Sequence, residues 1–188
     1  MKLFIDTCNW KLVLILKKDD QIVDSLILPD TKKVSDIVLS TITMLLSKNN
    51  LKINDIEEFY LTNGPGSYTG VRVGLTIVKT LKTLNNEIKV YLMNSLAFQA
   101  SNDKIISVLD ARGNKYYLGV YENQKPLIKE TVVSLEELED IKKTYNDFII
   151  KKDNESVDYL ETFNLLEDKF ILVNEIEEIS PLYIKNFI

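Results

Sequence analysis

Two aspartates close strand-like apolar runs: Asp6 at the end of "KLFID" and Asp110 at the end of "KIISVLD". Thr7 follows the first, and Arg112 and Gly113 follow the second. Carboxylates at strand ends that face a common cleft can hold a metal–phosphate complex, although Asp at such a position also caps turns. The second candidate is "NGPGSYTGVRVG", residues 63–74, which holds four of the chain's six glycines between an apolar run and a helix-like one. A Walker A loop ends in Gly-Lys-Ser/Thr, whereas Gly70 is followed by Val71-Arg72. A dinucleotide fingerprint fails too, because Gly64, Gly66 and Gly70 are spaced one residue too long for G-x-G-x-x-G. Two uses stay open. The helix amides around Gly64, Gly66 and Ser67, with Arg72, could hold an anion without a catalytic residue. Alternatively the glycines serve only a tight turn and close packing.

Composition narrows the chemistry further. The chain has no histidine, which removes Ser-His-Asp and Cys-His catalysis and His-liganded metal sites. Cys8 is the only cysteine, so neither an intramolecular disulfide nor a Cys-based metal cluster can form. Acid–base work by Asp, Glu, Lys or Tyr, or an all-carboxylate site for a hard cation, is what remains. No nucleophile–base pair or phosphate-binding lysine is recognisable, so kinase chemistry is not expected. A net charge of −5 with scattered lysines argues against a free-standing nucleic-acid binder, and any RNA contact is expected through a partner. No run approaches the ~20 apolar residues of a membrane span. The Met-Lys start leads into a strand rather than a signal segment, so a cytoplasmic protein is expected.

The elements that must place these groups follow a repeated order. Strands are expected at 2–6, 11–18 and 21–28, with "KKDDQ" as a hairpin turn, then a helix at about 32–49 and a strand at 56–62. A second helix spans 71–84. The order recurs with strands at 104–110, 115–123 and 127–133, a helix at 134–145, a strand at 147–152 and a helix at 156–168. Ser134 and Glu137 have capping-box spacing. A β-β-β-α-β-α unit thus appears twice, each time with an aspartate closing its first strand. The chain divides into an N-terminal lobe, 1–100, and a smaller C-terminal lobe, 101–188.

The two early helices are wider in apolar surface than one sheet face requires. Val34, Ile37, Val38, Leu39, Ile42, Met44, Leu45 and Leu46 cover about 220° of the first helix, and Val71 through Leu84 about 200° of the second. Either each helix is sandwiched inside its own domain, or part of both faces a partner. On the second reading the interface comprises Ile37, Thr41, Met44 and Leu45 with Val71, Val73, Gly74, Ile77, Val78 and Leu81. Gly74 would admit a neighbouring helix, and Met44 suits an adaptable contact.

"GPGSYTGVRVG" closely resembles the signature of the TsaB (YeaZ) family, with Tyr68 in place of the usual Phe. "FIDT" at 4–7, "NSL" at 94–96, "LDARGNKYY" at 109–117 and "PLYIK" at 181–185 resemble its other landmarks, across essentially the whole chain. The resemblance implies an α/β, actin-like ATPase (ASKHA, ribonuclease H-like) fold of two lobes, the second trimmed. It implies a non-catalytic partner of the TsaD transferase in making threonylcarbamoyladenosine beside the tRNA anticodon, with the TsaE ATPase joining the assembly. The early helices would then pair with TsaD, or with a second copy of the chain in its absence. TsaD carries a paired-histidine metal motif, which this chain lacks.

No cofactor is expected of this chain itself, and ATP or ADP at the partner interface is the exception left open. The residues expected to touch nucleotide or anion are Asp6, Thr7, Gly64, Gly66, Ser67, Arg72, Asp110 and Arg112; no metal ligands are expected. Departures from the family pattern are Cys8-Asn9, Lys33-Val34-Ser35 without the frequent His, and Lys185 where Arg is common. If the partner reading holds, Gly74→Arg or Leu45→Asp would abolish association and leave the fold. The alternative, an active ATPase or glycoprotease-like peptidase, would need turnover that depends on Asp6 and Asp110.

Overall fold

The structure, a computed structural model, describes residues 1–31 and 33–184. Side-chain alternation fixes its centre. In β1 (Lys2–Asp6), Leu3 and Ile5 face one side of the sheet and Phe4 the other. In β2 (Leu12–Lys18), Leu12, Leu14 and Leu16 likewise oppose Val13 and Ile15. Both faces are apolar, so both must be covered.

The chain continues through β3 (Gln21–Leu28), α1 (Val34–Lys48), β4 (Glu58–Thr62), α2 (Tyr68–Leu84), β5 (Lys89–Met93) and α3 (Ser95–Ala100). It then forms β6 (Lys104–Arg112), β7 (Lys115–Glu122), β8 (Lys125–Ser134), α4 (Leu135–Thr144), β9 (Ile149–Lys152), α5 (Tyr159–Leu166) and β10 (Ile171–Val173). The first sheet has the order β10-β5-β4-β1-β2-β3, and the second β8-β7-β6-β9. The expected duplication is therefore explicit: β4-β1-β2-β3 and β9-β6-β7-β8 share one order. In each, the first strand runs parallel to the fourth and antiparallel to the second. This is the two-lobed actin-like architecture, with four strands in the second sheet against six in the first.

α1 and α2 cover one face of the first sheet through Val38, Leu45, Leu75 and Val78. Its other face meets α3 and α5 through an aromatic cluster. Phe4 stacks on Phe98 at 5.1 Å and lies 4.9 Å from Phe163, and Phe170 closes the cluster edge-on. α4 covers the second sheet through Leu138, and its capping box between Ser134 and Glu137 forms as expected.

Three elements gave no readable signal. α3 is buried on every side, so no polar face marks its period. β10 is only three residues long, whereas β5, at five, is no shorter than β1. β10 also pairs with β5 at the edge of the first sheet, so part of the 101–188 segment returns to the first lobe. α2 starts at Tyr68 rather than 71, because Ser67 caps it by accepting the Gly70 N–H at 3.3 Å.

One ion cluster ties the helical layer to the sheet. Glu167, just after α5, binds both Lys2 on β1 and Lys17 on β2, and the Lys17 side chain is only 4% exposed. Burial acts to raise the Glu167 pKa, but the bonds and charges of Lys17 and Lys2 outweigh it and hold the carboxyl below its ordinary value. A depressed folded pKa supplies stability above the unfolded value of 4.5, and loses it as pH falls through the folded one. Glu167→Gln is expected to cost on the order of 3 kcal/mol at neutral pH, because it leaves the Lys17 charge buried and unpaired. It should also flatten the acid limb of a melting-temperature profile, which thermal unfolding across a pH series reads directly.

Candidate functional site

Gly66, Gly70 and Gly74 recur every fourth residue, which puts them on one side of the loop and helix that lean on the β1 end. A Cβ on Gly66 would stand 2.0 Å from the Cys8 carbonyl oxygen, and one on Gly70 2.0 Å from that of Thr7. At Gly74 it would meet Thr7 Oγ1 at 2.7 Å. Hydrogen bonds use the same contact: the Ser67 N–H donates to Cys8 O at 2.7 Å, and Thr7 Oγ1 donates to Gly70 O at 2.7 Å. Gly64 has a positive φ of 97° and lies behind the loop against Val71. The glycines thus permit α2 to seat on the strand end. This corrects the expectation for Gly74, which makes room for the chain's own Thr7 and not for a partner helix.

Asp6 is also a structural group. It is buried, and its carboxylate accepts the Cys8 N–H at 2.7 Å, the Thr62 hydroxyl at 2.8 Å and the Asn9 amide at 3.1 Å. Burial pushes its pKa up while these donors pull it down, and burial prevails. Neither Asp6 nor the buried Thr7 lines a cavity with the other anion-site candidates. Cys8 has its thiol pushed up to about 12, chiefly by burial, so it is no ready nucleophile.

A cleft of about 500 Å³ opens in front of this turn, between the lobes. Gly66, Ser67, Tyr68 and Thr69 form one wall, and Asp110, Ala111, Arg112, Tyr117 and Asp153 the other, with Asn9 and Trp10 at the mouth. Among the predicted anion-binding residues, Gly66, Ser67, Asp110 and Arg112 do meet here. Arg72 does not. Its guanidinium lies 3.8 Å over the Tyr68 ring and donates to the Tyr183 hydroxyl at 2.6 Å, on the outer side of α2. Lys185, the last residue of the "PLYIK" resemblance, lies outside the described residues.

The outer side of α1 and α2 carries a second feature. Two adjoining depressions of about 410 and 340 Å³ share Leu39 and Ile77 and form a groove between the helices. Leu39 is 61% exposed and Met44 53%, while Ile37, Val73, Ile77 and Leu81 are half-buried. Five residues assigned to the interface face inward instead: Thr41, Leu45, Val71, Gly74 and Val78 are buried in the chain's own core. The excess apolar width is real, but it lies on the flanks of each wheel. Leu39 was counted in that width and left out of the interface, although it borders both depressions. Leu45→Asp and Gly74→Arg would accordingly break the fold before any partner contact.

Comparison with known proteins adds the following. The family model described as "TsaD: tRNA N6-adenosine threonylcarbamoyltransferase" matches residues 27–173. The MG208 homolog of Mycoplasma pneumoniae, an uncharacterised protein, is 30% identical over 98% of this chain and 95% of its own length. The tRNA threonylcarbamoyladenosine biosynthesis protein TsaB of Bacillus subtilis is 33% identical over 69% of this chain and 58% of its own. Among solved structures, YeaZ from Pseudomonas aeruginosa aligns with a TM-score of 0.70 at 17% identity, over 97% of this chain and 99% of that one. A second Pseudomonas aeruginosa structure, described as similar to peptidase YEAZ, gives 0.76 at 16% identity, over 98% and 99%. At these identities the structural likeness bears on the fold.

Proposed function

The chain belongs to the TsaB (YeaZ) family, within the wider group described by the TsaD model, and from that premise we propose that it is a non-catalytic scaffold subunit in tRNA threonylcarbamoyladenosine biosynthesis. The observation that carries this reading is the apolar groove between α1 and α2, which the described residues leave open along Leu39, Ile77 and Leu81. TsaD is its partner there, a second copy of the chain occupies the groove when TsaD is absent, and TsaE joins the larger assembly. The tRNA is reached only through the complex, consistent with a chain of net charge −5.

The reading as an enzyme has less support. Asp6 is committed to three internal hydrogen bonds, and the Cys8 thiol is held protonated. No helix among the described residues is long and apolar enough to cross a membrane. The test is reconstitution of the tRNA modification with each subunit left out in turn. Omitting this chain should abolish product without any substrate being turned over by the chain alone. Full product formation without it would overturn the proposal.

A further inference from the structure

We infer that the groove between α1 and α2 selects its occupant by charge: it fits a foreign segment that sets carboxylates beside apolar anchors, and fits a second copy of the chain less well. This inference rests on the reading of the groove as a partner site.

The distribution of charge carries it. The whole chain has 28 acidic residues against 23 basic ones. α1 and α2 reverse that balance, with one carboxylate, Asp36, against Lys48, Arg72, Lys79 and Lys82. Asp36 lines neither half of the groove. Arg72 is the only charged side chain lining the smaller depression, and Lys52, in the turn after α1, the only one lining the larger. Among the described residues no carboxylate pairs with the Arg72 guanidinium or the Lys52 ammonium. Two of the other cations serve the chain's own fold: Lys48 pairs with Asp24, and Lys82 donates to the carbonyls of Asn86 and Ile88.

Arg72 is also held ready for a carboxylate. Its guanidinium lies 3.8 Å over the Tyr68 ring, and its Nε and one Nη donate to the Tyr183 hydroxyl at 3.1 and 2.6 Å. The Leu182 N–H donates to Asn63 O at 2.8 Å, which pins the segment that carries Tyr183. A guanidinium fixed on an aromatic face has little freedom left to lose on binding, and its remaining N–H groups match a carboxylate. Arginine beside apolar anchors is a frequent centre of interface binding energy. A two-fold contact presents the same surface twice, so a second copy would bring its own Arg72 and Lys52 to the groove. Like charge then opposes self-association and favours the acidic foreign segment.

Salt separates the two occupants. Raising sodium chloride from about 0.05 M to about 0.5 M should weaken binding of the full-length chain to TsaD about tenfold in titration calorimetry. Self-association, followed by sedimentation, should tighten or stay level over the same range. Arg72→Gln should weaken TsaD binding about tenfold and flatten its salt dependence, and Lys52→Gln about threefold. Lys79→Gln removes the same charge from the same helix but away from both depressions, and should bind as the wild type does. Thermal unfolding shows whether Arg72→Gln is folded; if it is not, Lys52→Gln and the wild-type salt series decide. Salt-independent binding to TsaD, wild-type affinity in a folded Arg72→Gln, or self-association that weakens with salt would overturn the inference. A weakened Leu39→Asp beside an unaffected Arg72→Gln would leave the groove as the partner site and remove only its charge selection. Wild-type affinity in Leu39→Asp would instead remove the groove reading, and this inference with it.

Discussion

Leu39→Asp is expected to leave the isolated chain folded and to weaken its association with TsaD by about thirtyfold or more. Leu39 lies on the outer side of α1, is 61% exposed and borders both halves of the groove. A carboxylate there is solvated in the free chain. In the complex it would lie unpaired against apolar surface, a situation in which an interface loses at least about 2 kcal/mol. Leu45→Asp is the contrasting case, since Leu45 is 2% exposed in the core beneath the same helix. It should unfold the chain, and its loss of binding would carry no information about the groove. Titration calorimetry with TsaD, paired with thermal unfolding of each variant, separates the two. Wild-type affinity in a folded Leu39→Asp would remove the groove from the account.

Gly70→Ala should be strongly damaging, as should Gly66→Ala, whose Cβ would stand equally close to the Cys8 carbonyl oxygen. Alanine is the better helix former by about 1 kcal/mol, so propensity alone would stabilise α2. The new Cβ would stand 2.0 Å from the Thr7 carbonyl oxygen, on backbone that the Thr7–Gly70 hydrogen bond holds in place. Overpacking against backbone costs typically about 1–3 kcal/mol and more where nothing can yield, so a net loss of about 3 kcal/mol or greater is expected. That is a large share of the roughly 5–15 kcal/mol that holds a domain together. Gly113→Ala meets no atom within 4 Å and strains only a φ of +62°, so its cost should be near 1 kcal/mol. Denaturant unfolding of both variants gives the comparison.

Much of the fold was legible because the hydrophobic pattern repeats. The alternation in β1 and β2, and the recurrence of β-β-β-α-β-α, are local signals that tertiary packing leaves intact. α3 and β10 were missed for physical reasons: β10, at three residues, is too short for a period, and α3 has no polar face; β5 was missed although it is as long as β1. The site was legible in part. Residue types located the turn, the cleft residues Asp110 and Arg112, and the two helices. Burial direction was not readable, because 200° of apolar surface does not tell which part faces the sheet. Hence Thr41, Leu45 and Val78 were assigned outward, while Leu39 was left out. Gly74 misled for a related reason: a helical glycine signals close approach but not the identity of what approaches. Asp6 matched a ligand-binding position by spacing, and only its three hydrogen-bond donors reveal a turn anchor.

The central claim is that the groove between α1 and α2 is where this chain meets TsaD. Hydrogen exchange of the full-length chain, alone and with TsaD in excess, tests it most directly. Protection is expected to rise along the outer parts of residues 34–48 and 68–84, with the edges at β3 and β8 unchanged. Protection appearing at those edges instead, with both helices exchanging as in the free chain, would contradict it.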